Sequence, residues 1–228
     1  MVDDSLTEAL GYTFKDIALL ETALTHPSAP RAGGGMPDYQ RLEFLGDAVL
    51  ELCVSRMLFD RFPDAKEGAL TTMRASLVKK GTLSRVAKTL RLGDYIDMSP
   101  CDRDYGASSS DSVLCDVFEA VLAAIYLDGG IVKANAFVKR SLKGIDPEEE
   151  ASAGNSKSAL QEFLQSRGQA TPKYHMIEVK GHPHAPLFGV IAVSGDRILG
   201  RGTGPSKKAA QQDAARAALA AIKAKPQD

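Results

Sequence analysis

Tyr39-Gln40-Arg41-Leu42-Glu43-Phe44-Leu45-Gly46-Asp47-Ala48-Val49-Leu50-Glu51-Leu52 is the stretch that decides the fold of the first half of this chain. Leu42, Leu45, Val49 and Leu52 recur at helical spacing, so the stretch predicts a helix with one face in a core. Glu43 and Asp47 lie four residues apart and share a face on the shoulder of that stripe. Like charges beside a core cost free energy unless something compensates them, and a metal ion is one such compensation.

Working outward, residues 5–29 carry Leu6, Leu10, Ile17, Leu20 and Leu24 at helical spacing around a Gly11-Tyr12 turn. Residues 30–37, with Gly33-Gly34-Gly35, read as a loop. Residues 67–89 repeat the helical pattern through Leu70, Met73, Leu77, Leu83 and Val86, and residues 92–106 read as turn and loop. From Val113 to Leu127 the chain is apolar nearly all round, which predicts a buried central helix stopped by Asp128-Gly129-Gly130. A further helix follows to Leu142, and no strand pattern interrupts this half. An all-helical domain over residues 1–146 is the expectation.

Residues 147–153 are charged, small and without periodicity, and read as a linker. After it the texture changes. Residues 154–224 predict a short helix over Ser158–Ser166 and strands over Lys173–Lys180, Leu187–Ser194 and Arg197–Thr203. Turns fall at Gly181-His182-Pro183-His184 and Ser194-Gly195-Asp196, and an Ala-rich helix runs over Ser206–Ile222. The order α-β-β-β-α describes a small α+β domain.

A chain of 228 residues has room for two such cores. Three cysteines without CxxC spacing argue against a disulfide framework or a zinc site and fit a reducing cytosol. No basic-then-apolar leader and no run of membrane-spanning length is present, so a soluble cytoplasmic protein is expected. The net charge of −1 conceals an asymmetry: residues 1–150 hold 17 Lys and Arg against 24 Asp and Glu, residues 151–228 hold 11 against 5. An acidic part joined to a basic part suggests a metal-using piece tethered to a polyanion-binding piece.

The apolar run contributes Asp116 and Glu119, three apart and on one face. With Glu43 and Asp47 they make four carboxylates on two core helices, and without a cation they could not all stay ionised. A hard divalent ion resolves the conflict, because Mg²⁺ and Mn²⁺ prefer oxygen ligands. A di-iron bundle would need Glu-x-x-His, and no His follows any of these acids by three. The competing reading pairs Glu43 and Asp47 with Arg41 or Arg56 on a helix surface; it does not account for Asp116 and Glu119 inside an apolar run.

At this point a resemblance becomes specific. Residues Gln40 to Leu50 resemble the signature stretch of the ribonuclease III family, and Leu114-Cys115-Asp116-Val117-Phe118-Glu119-Ala120 resembles its second acidic motif. Glu67-Gly68-Ala69-Leu70 followed by Arg74-Ala75-Ser76-Leu77-Val78 resembles its intervening helix. The resemblance implies an all-α ribonuclease III domain followed by a double-stranded-RNA-binding domain, as in the short bacterial enzymes. It implies Glu43, Asp47, Asp116 and Glu119 as metal ligands, with Asp47 and Glu119 in the catalytic role. It further implies Mg²⁺ (or Mn²⁺) and a homodimer in which each subunit cuts one strand. No small-molecule cofactor is expected. Products would carry 5′-phosphate and 3′-hydroxyl ends with short 3′ overhangs, from precursors such as ribosomal RNA.

Three places depart from or extend the pattern. Gln40 stands where many bacterial members have Glu, and Ala107 to Asp111 lacks the basic residues common there. Glu67 matches an acidic position of the family and equally suits a helix N-terminus. His26 matches a frequent family residue and is expected to cap or pack locally.

In the second domain, Lys207 and Lys208 open a helix behind Ser206, an N-cap candidate. Lysines there oppose the macrodipole, and a phosphate seated on the helix end would reverse the penalty. By the resemblance, Gln161, Glu162 and His184 match positions reaching the RNA minor groove, while Ser206, Lys207, Lys208 and Gln211 match a phosphate-facing cluster. Such domains read A-form shape and 2′-hydroxyls more than sequence. The rival from another class is a non-catalytic duplex-binding protein that kept the nuclease fold.

Overall fold

The computed structural model describes residues 4–30, 37–180 and 186–223, and the chain divides into two compact units, Met1–Pro147 and Glu148–Asp228. In the first unit, helices α1 (Asp4–Leu10) and α2 (Ile17–Ala23) precede the long α3 (Gln40–Arg61). Then come α4 (Glu67–Val78), α5 (Lys80–Thr89), the short α6 (Pro100–Asp104) and α7 (Asp111–Ser141). The pattern over 67–89 resolves into two helices because Lys79 adopts extended backbone (φ −65°, ψ 146°) between them. Residues 92–106, expected as loop, contain α6, whose N-cap Ser99 Oγ accepts from Asp102 N at 3.1 Å. α7 is broken at Gly130 (φ 74°, ψ −179°), at the expected Asp128-Gly129-Gly130 stop. No described helix is long and apolar enough to cross a membrane.

The core forms between α3 and α7. Val49, Leu50, Cys53, Val54 and Leu58 line one side of α3, while α7 buries Val117, Phe118, Ala120, Val121, Leu122, Ala124 and Ile125. The apolar face of α3 is rotated from its expected position. Leu42 and Val49 are buried, but Leu52 is 59% exposed, because the core stripe continues through Leu50 and Cys53 instead. Gly46 is the point of closest approach: a Cβ there would lie 1.9 Å from the Glu119 carbonyl oxygen. Arg74 holds α4 against α3 through Glu51 (2.9 Å) and Ser55 Oγ (3.1 Å). Asp128 accepts from Tyr12 Oη (2.6 Å) and from the backbone N–H of Lys15 and Asp16 (both 2.9 Å), which ties the N-terminal segment to α7.

The second unit runs α8 (Pro147–Ser166), β1 (Lys173–Lys180), β2 (Leu187–Ser194), β3 (Arg197–Gly204) and α9 (Lys207–Lys223). The strands form one antiparallel sheet in the order β1-β2-β3. Its core joins Leu160 and Leu164 of α8, Val190 and Ala192 of β2, and Ala210, Ala214, Ala215 and Ala218 of α9. α9 lies hard against β3: a Cβ on Gly202 would come within 2.1 Å of the Ala214 backbone nitrogen. Residues 147–153, expected as an irregular linker, are the first turns of α8. Pro147 opens the helix, and Glu148, Glu149 and Glu150 in its first turn complement the macrodipole.

Replacing a mid-helix glycine by alanine ordinarily stabilises a helix by about 1 kcal/mol. At Gly46 the added methyl meets backbone, which has no rotamer to move, and overpacking of this kind costs about 1–3 kcal/mol or more. Gly46→Ala is therefore expected to lower Tm by several degrees in a thermal melt; a raised Tm would show that α3 and α7 are not in this contact.

Candidate metal centre and RNA-binding surface

Glu43 and Asp47 lie on consecutive turns of α3 either side of Gly46, and Asp116 and Glu119 lie on the first turns of α7. The Gly46 contact draws the two helices together at Glu119, so all four carboxylates act on one another. Burial and then the negative charges of Asp47, Asp116 and Glu43 push the Glu119 carboxyl up to about 8. Burial, followed by Asp116 and Asp47, raises Glu43 as well. Asp116 is also raised by burial, with Lys80 and His26 pulling the other way. Tyr39, buried at the head of α3, has its phenol held well above its ordinary range by burial and by Asp116, Glu43 and Asp38.

The environment of each acid differs. Glu119 is 8% exposed, Glu43 and Asp116 are half-buried, and Asp47 is exposed, so the cluster grades from a buried acid to a solvent-facing one. The surface-pair alternative fails for Arg56, whose guanidinium is engaged by Asp60 at 2.8 Å. Cys115, Asp116 and Glu119 present ligand atoms within 4.8 Å of one another. A cluster of oxygens with uncompensated negative charge around a buried carboxylate suits a hard divalent cation.

Several residues fall outside the cluster. Gln40 is exposed at the first position of α3, its backbone N–H donating to Asp38 Oδ1 (3.1 Å). Glu67 is exposed at the start of α4 and accepts from Thr71 Oγ1 at 2.8 Å. His26 is engaged locally, with Nδ1 2.8 Å from Ser28 Oγ and the ring edge-on to Tyr39.

Sequence reasoning missed two kinds of neighbour near the acids, one basic and one a thiol. Lys80, at the start of α5, donates to Ser112 Oγ (3.0 Å), one turn before Asp116. Lys88, also on α5, pairs with Asp111 at 2.6 Å. Asp111 and Ser112 thus lie beside two basic residues of α5, a proximity no local pattern could announce. Cys115 is the other: its thiol donates to Glu119 Oε1 at 3.7 Å.

In the second unit Gln161 and Glu162 are exposed on α8. Ser206 caps α9 through Oγ to the Ala209 N–H (3.1 Å), and Lys207 and Lys208 are exposed on its first turn. Gln211 is part-buried and accepts from Lys157 Nζ at 2.7 Å; that ammonium also lies 4.7 Å from the Tyr174 ring centroid. Lys157 precedes Gln161 by one helical turn, the signal that could have found it. His184 lies outside the described residues, as do His182 and the Gly33-Gly34-Gly35 stretch.

Comparison with known proteins agrees with both halves. A family profile described as Ribonuclease-III-like matches residues 16–145, and one described as Double-stranded RNA binding motif matches residues 156–222. The two matches define a nuclease of two domains, one of them carrying a double-stranded-RNA-binding motif. Proteins named Ribonuclease 3 are similar along nearly their whole length. The one from Magnetococcus marinus is 42% identical over 226 residues, covering 95% of this chain and 91% of its own. That from Thiobacillus denitrificans is 40% identical, with 97% of each chain covered. The solved nuclease domain of ribonuclease III from Campylobacter jejuni superimposes with a TM-score of 0.59 at 39% identity, over 63% of this chain and 98% of that one. This chain belongs to the ribonuclease III family and is an endoribonuclease.

Without metal, a Glu119 carboxyl titrating near 8 in the folded state and near 4.5 when unfolded binds its proton more tightly when folded. Its contribution to stability is therefore full below about pH 4.5 and is lost as pH rises toward 8. In chelator-treated protein the Tm difference between wild type and Glu119→Gln should shift steadily across that window, wild type losing ground as pH rises. A difference independent of pH would contradict the crowding of charge around Glu119.

Proposed function

We propose that this endoribonuclease hydrolyses phosphodiester bonds in double-stranded RNA with Mg²⁺ held by Glu43, Asp47, Asp116 and Glu119, Mn²⁺ substituting. The observation that carries this reading is Glu119, a residue only 8% exposed, surrounded by three further acids and by no basic partner among the described residues. Bound there, the ion would supply a polarised water and neutralise charge developing on the phosphate. The protein supplies rigidity: Glu119 stands on a buried stretch of α7, packed against Gly46 of α3. Asp47, exposed on α3, is open to an incoming phosphodiester, and with Glu119 it is assigned the catalytic role. Lys80 adds a cation beside Ser112 and Asp116 at the rim. The products assigned are 5′-phosphate and 3′-hydroxyl ends with short 3′ overhangs, and the substrates are structured precursors such as ribosomal RNA.

A staggered cut in both strands requires two sites, and a homodimer supplies them. Support comes from α3, where Phe44 (83% exposed), Leu52 and Phe59 (68% exposed) recur every seven or eight residues on one side. An apolar stripe of this kind on a well-packed helix is a contact surface. The Campylobacter jejuni nuclease domain is itself described with a region involved in dimer formation. Duplex RNA is assigned to Gln161, Glu162, Ser206, Lys207, Lys208 and Gln211, with His184 by resemblance; Lys157 joins them through Gln211.

Glu119→Ala is expected to bind a synthetic RNA duplex normally and to cut it more than about 100-fold more slowly, beyond the 10–100-fold typical of losing an outer partner of a metal. Normal cleavage by this variant would defeat the site assignment. Replacing Lys207 and Lys208 by Ala should weaken binding alike for all duplex sequences and lower the salt slope by about 1 for each phosphate no longer neutralised; an unchanged slope would remove these lysines from the interface.

A further inference from the structure

The hard-ion reading of the acidic cleft leaves one group unused. Cys115 is buried on α7 immediately before Asp116 and one turn before Glu119, so its side chain shares a wall with both. Its Sγ lies 3.7 Å from Glu119 Oε1, and sulfur and both carboxylates present ligand atoms within 4.8 Å of one another. Zinc–sulfur and zinc–oxygen bonds of about 2.3 and 2.0 Å at a tetrahedral angle place S and O about 3.5 Å apart. The sulfur–oxygen separation on α7 is therefore close to what a zinc-like ion spans. Glu119, a residue only 8% exposed, has this thiol as its one hydrogen-bond partner among the described residues.

Resting on the metal-centre reading above, we propose that the cleft holds a second ligand set, Cys115 Sγ with the carboxylates of Asp116 and Glu119, which takes a thiophilic divalent cation of the zinc and cadmium class in place of the hard ion. Two of its three ligands belong to the hard-ion set, so the two kinds of ion exclude one another. Softness decides between them: thiolates select zinc-like ions, whereas Mg²⁺ coordinates oxygen and leaves the thiol protonated. Coordination of a soft cation forms the metal–sulfur bond and releases the thiol proton to solvent. The bound thiolate adds negative charge to the metal centre and occupies a coordination position that water or phosphate would need. A ribonuclease of this build would be inhibited by zinc-class ions through Cys115.

The test uses full-length protein carrying Cys101→Ser, which removes the exposed thiol, with and without Cys115→Ser; Cys53 is buried on α3. Cadmium chloride is titrated while the ultraviolet sulfur-to-cadmium charge-transfer band is recorded, with circular dichroism checking that both proteins fold. The proposal predicts a saturable band at one Cd²⁺ per chain that excess Mg²⁺ does not abolish and that Cys115→Ser eliminates. Asp116→Asn should keep the band and weaken Cd²⁺ at least 10-fold. Zinc chloride should inhibit Mg²⁺-supported cleavage at a concentration at least 10-fold lower when Cys115 is present than in the Cys115→Ser variant, each normalised to its own uninhibited rate. A band that survives Cys115→Ser, or no band from protein that still cleaves with Mg²⁺, overturns the thiolate site alone. Absence of both the band and Mg²⁺-dependent cleavage overturns the metal-centre reading with it.

Discussion

The contact between Gly46 and the Glu119 backbone is the constraint on which the nuclease unit depends. Because no side chain separates the helices there, α3 and α7 run close enough for Glu43 and Asp47 to meet Asp116 and Glu119 across the gap. Burial of apolar side chains above and below, from Leu42 to Leu58 on α3 and from Leu114 to Ile125 on α7, drives that approach. The acids are carried along by it. Their mutual repulsion is a cost the core absorbs, and the proposed divalent cation would remove it. Stability and chemistry are thus coupled at one place: what packs the domain also charges the site.

The same device, small residues that let backbones close up, recurs in the second unit with another use. Gly202 and the alanines of α9 bring helix and sheet together, which fixes where the first turn of α9 points. Ser206 caps that turn, leaving Lys207 and Lys208 exposed at a helix end where cations are unfavourable until an anion is present. One unit concentrates negative charge and needs a cation; the other displays positive charge and needs an anion. The proposed duplex RNA and metal would satisfy both.

Much of this is legible in the chain because the decisive features are matters of residue type. Carboxylates inside an apolar run announce themselves, as do the stop at Gly129-Gly130 and the change to strand texture after residue 170. What stays hidden depends on which face a helix turns inward. Leu52 fits the helical period as well as Leu50 does, and only packing shows that Leu52 faces outward with Phe44 and Phe59. Gly46 is visible as a glycine, but what it touches lies more than seventy residues away. Lys80 carries no pattern and gains meaning from Ser112, a neighbour brought by the fold, whereas Cys115 stands one helical turn before Glu119, a spacing the sequence shows without showing the burial. The helical start of α8 escapes a sequence reading because a charged, aperiodic stretch looks like linker, although Pro147 followed by three glutamates is also how a helix begins.

The central claim is that four carboxylates on two helices form one cation site. The most direct measurement is Mn²⁺ uptake by chelator-treated protein at neutral pH, followed through loss of the free-ion electron paramagnetic resonance signal. The account predicts saturable binding in the absence of RNA, weakened when Asp116 on α7 or Glu43 on α3 is replaced by its amide, since both helices contribute. No uptake, or uptake indifferent to one of the two helices, would contradict it.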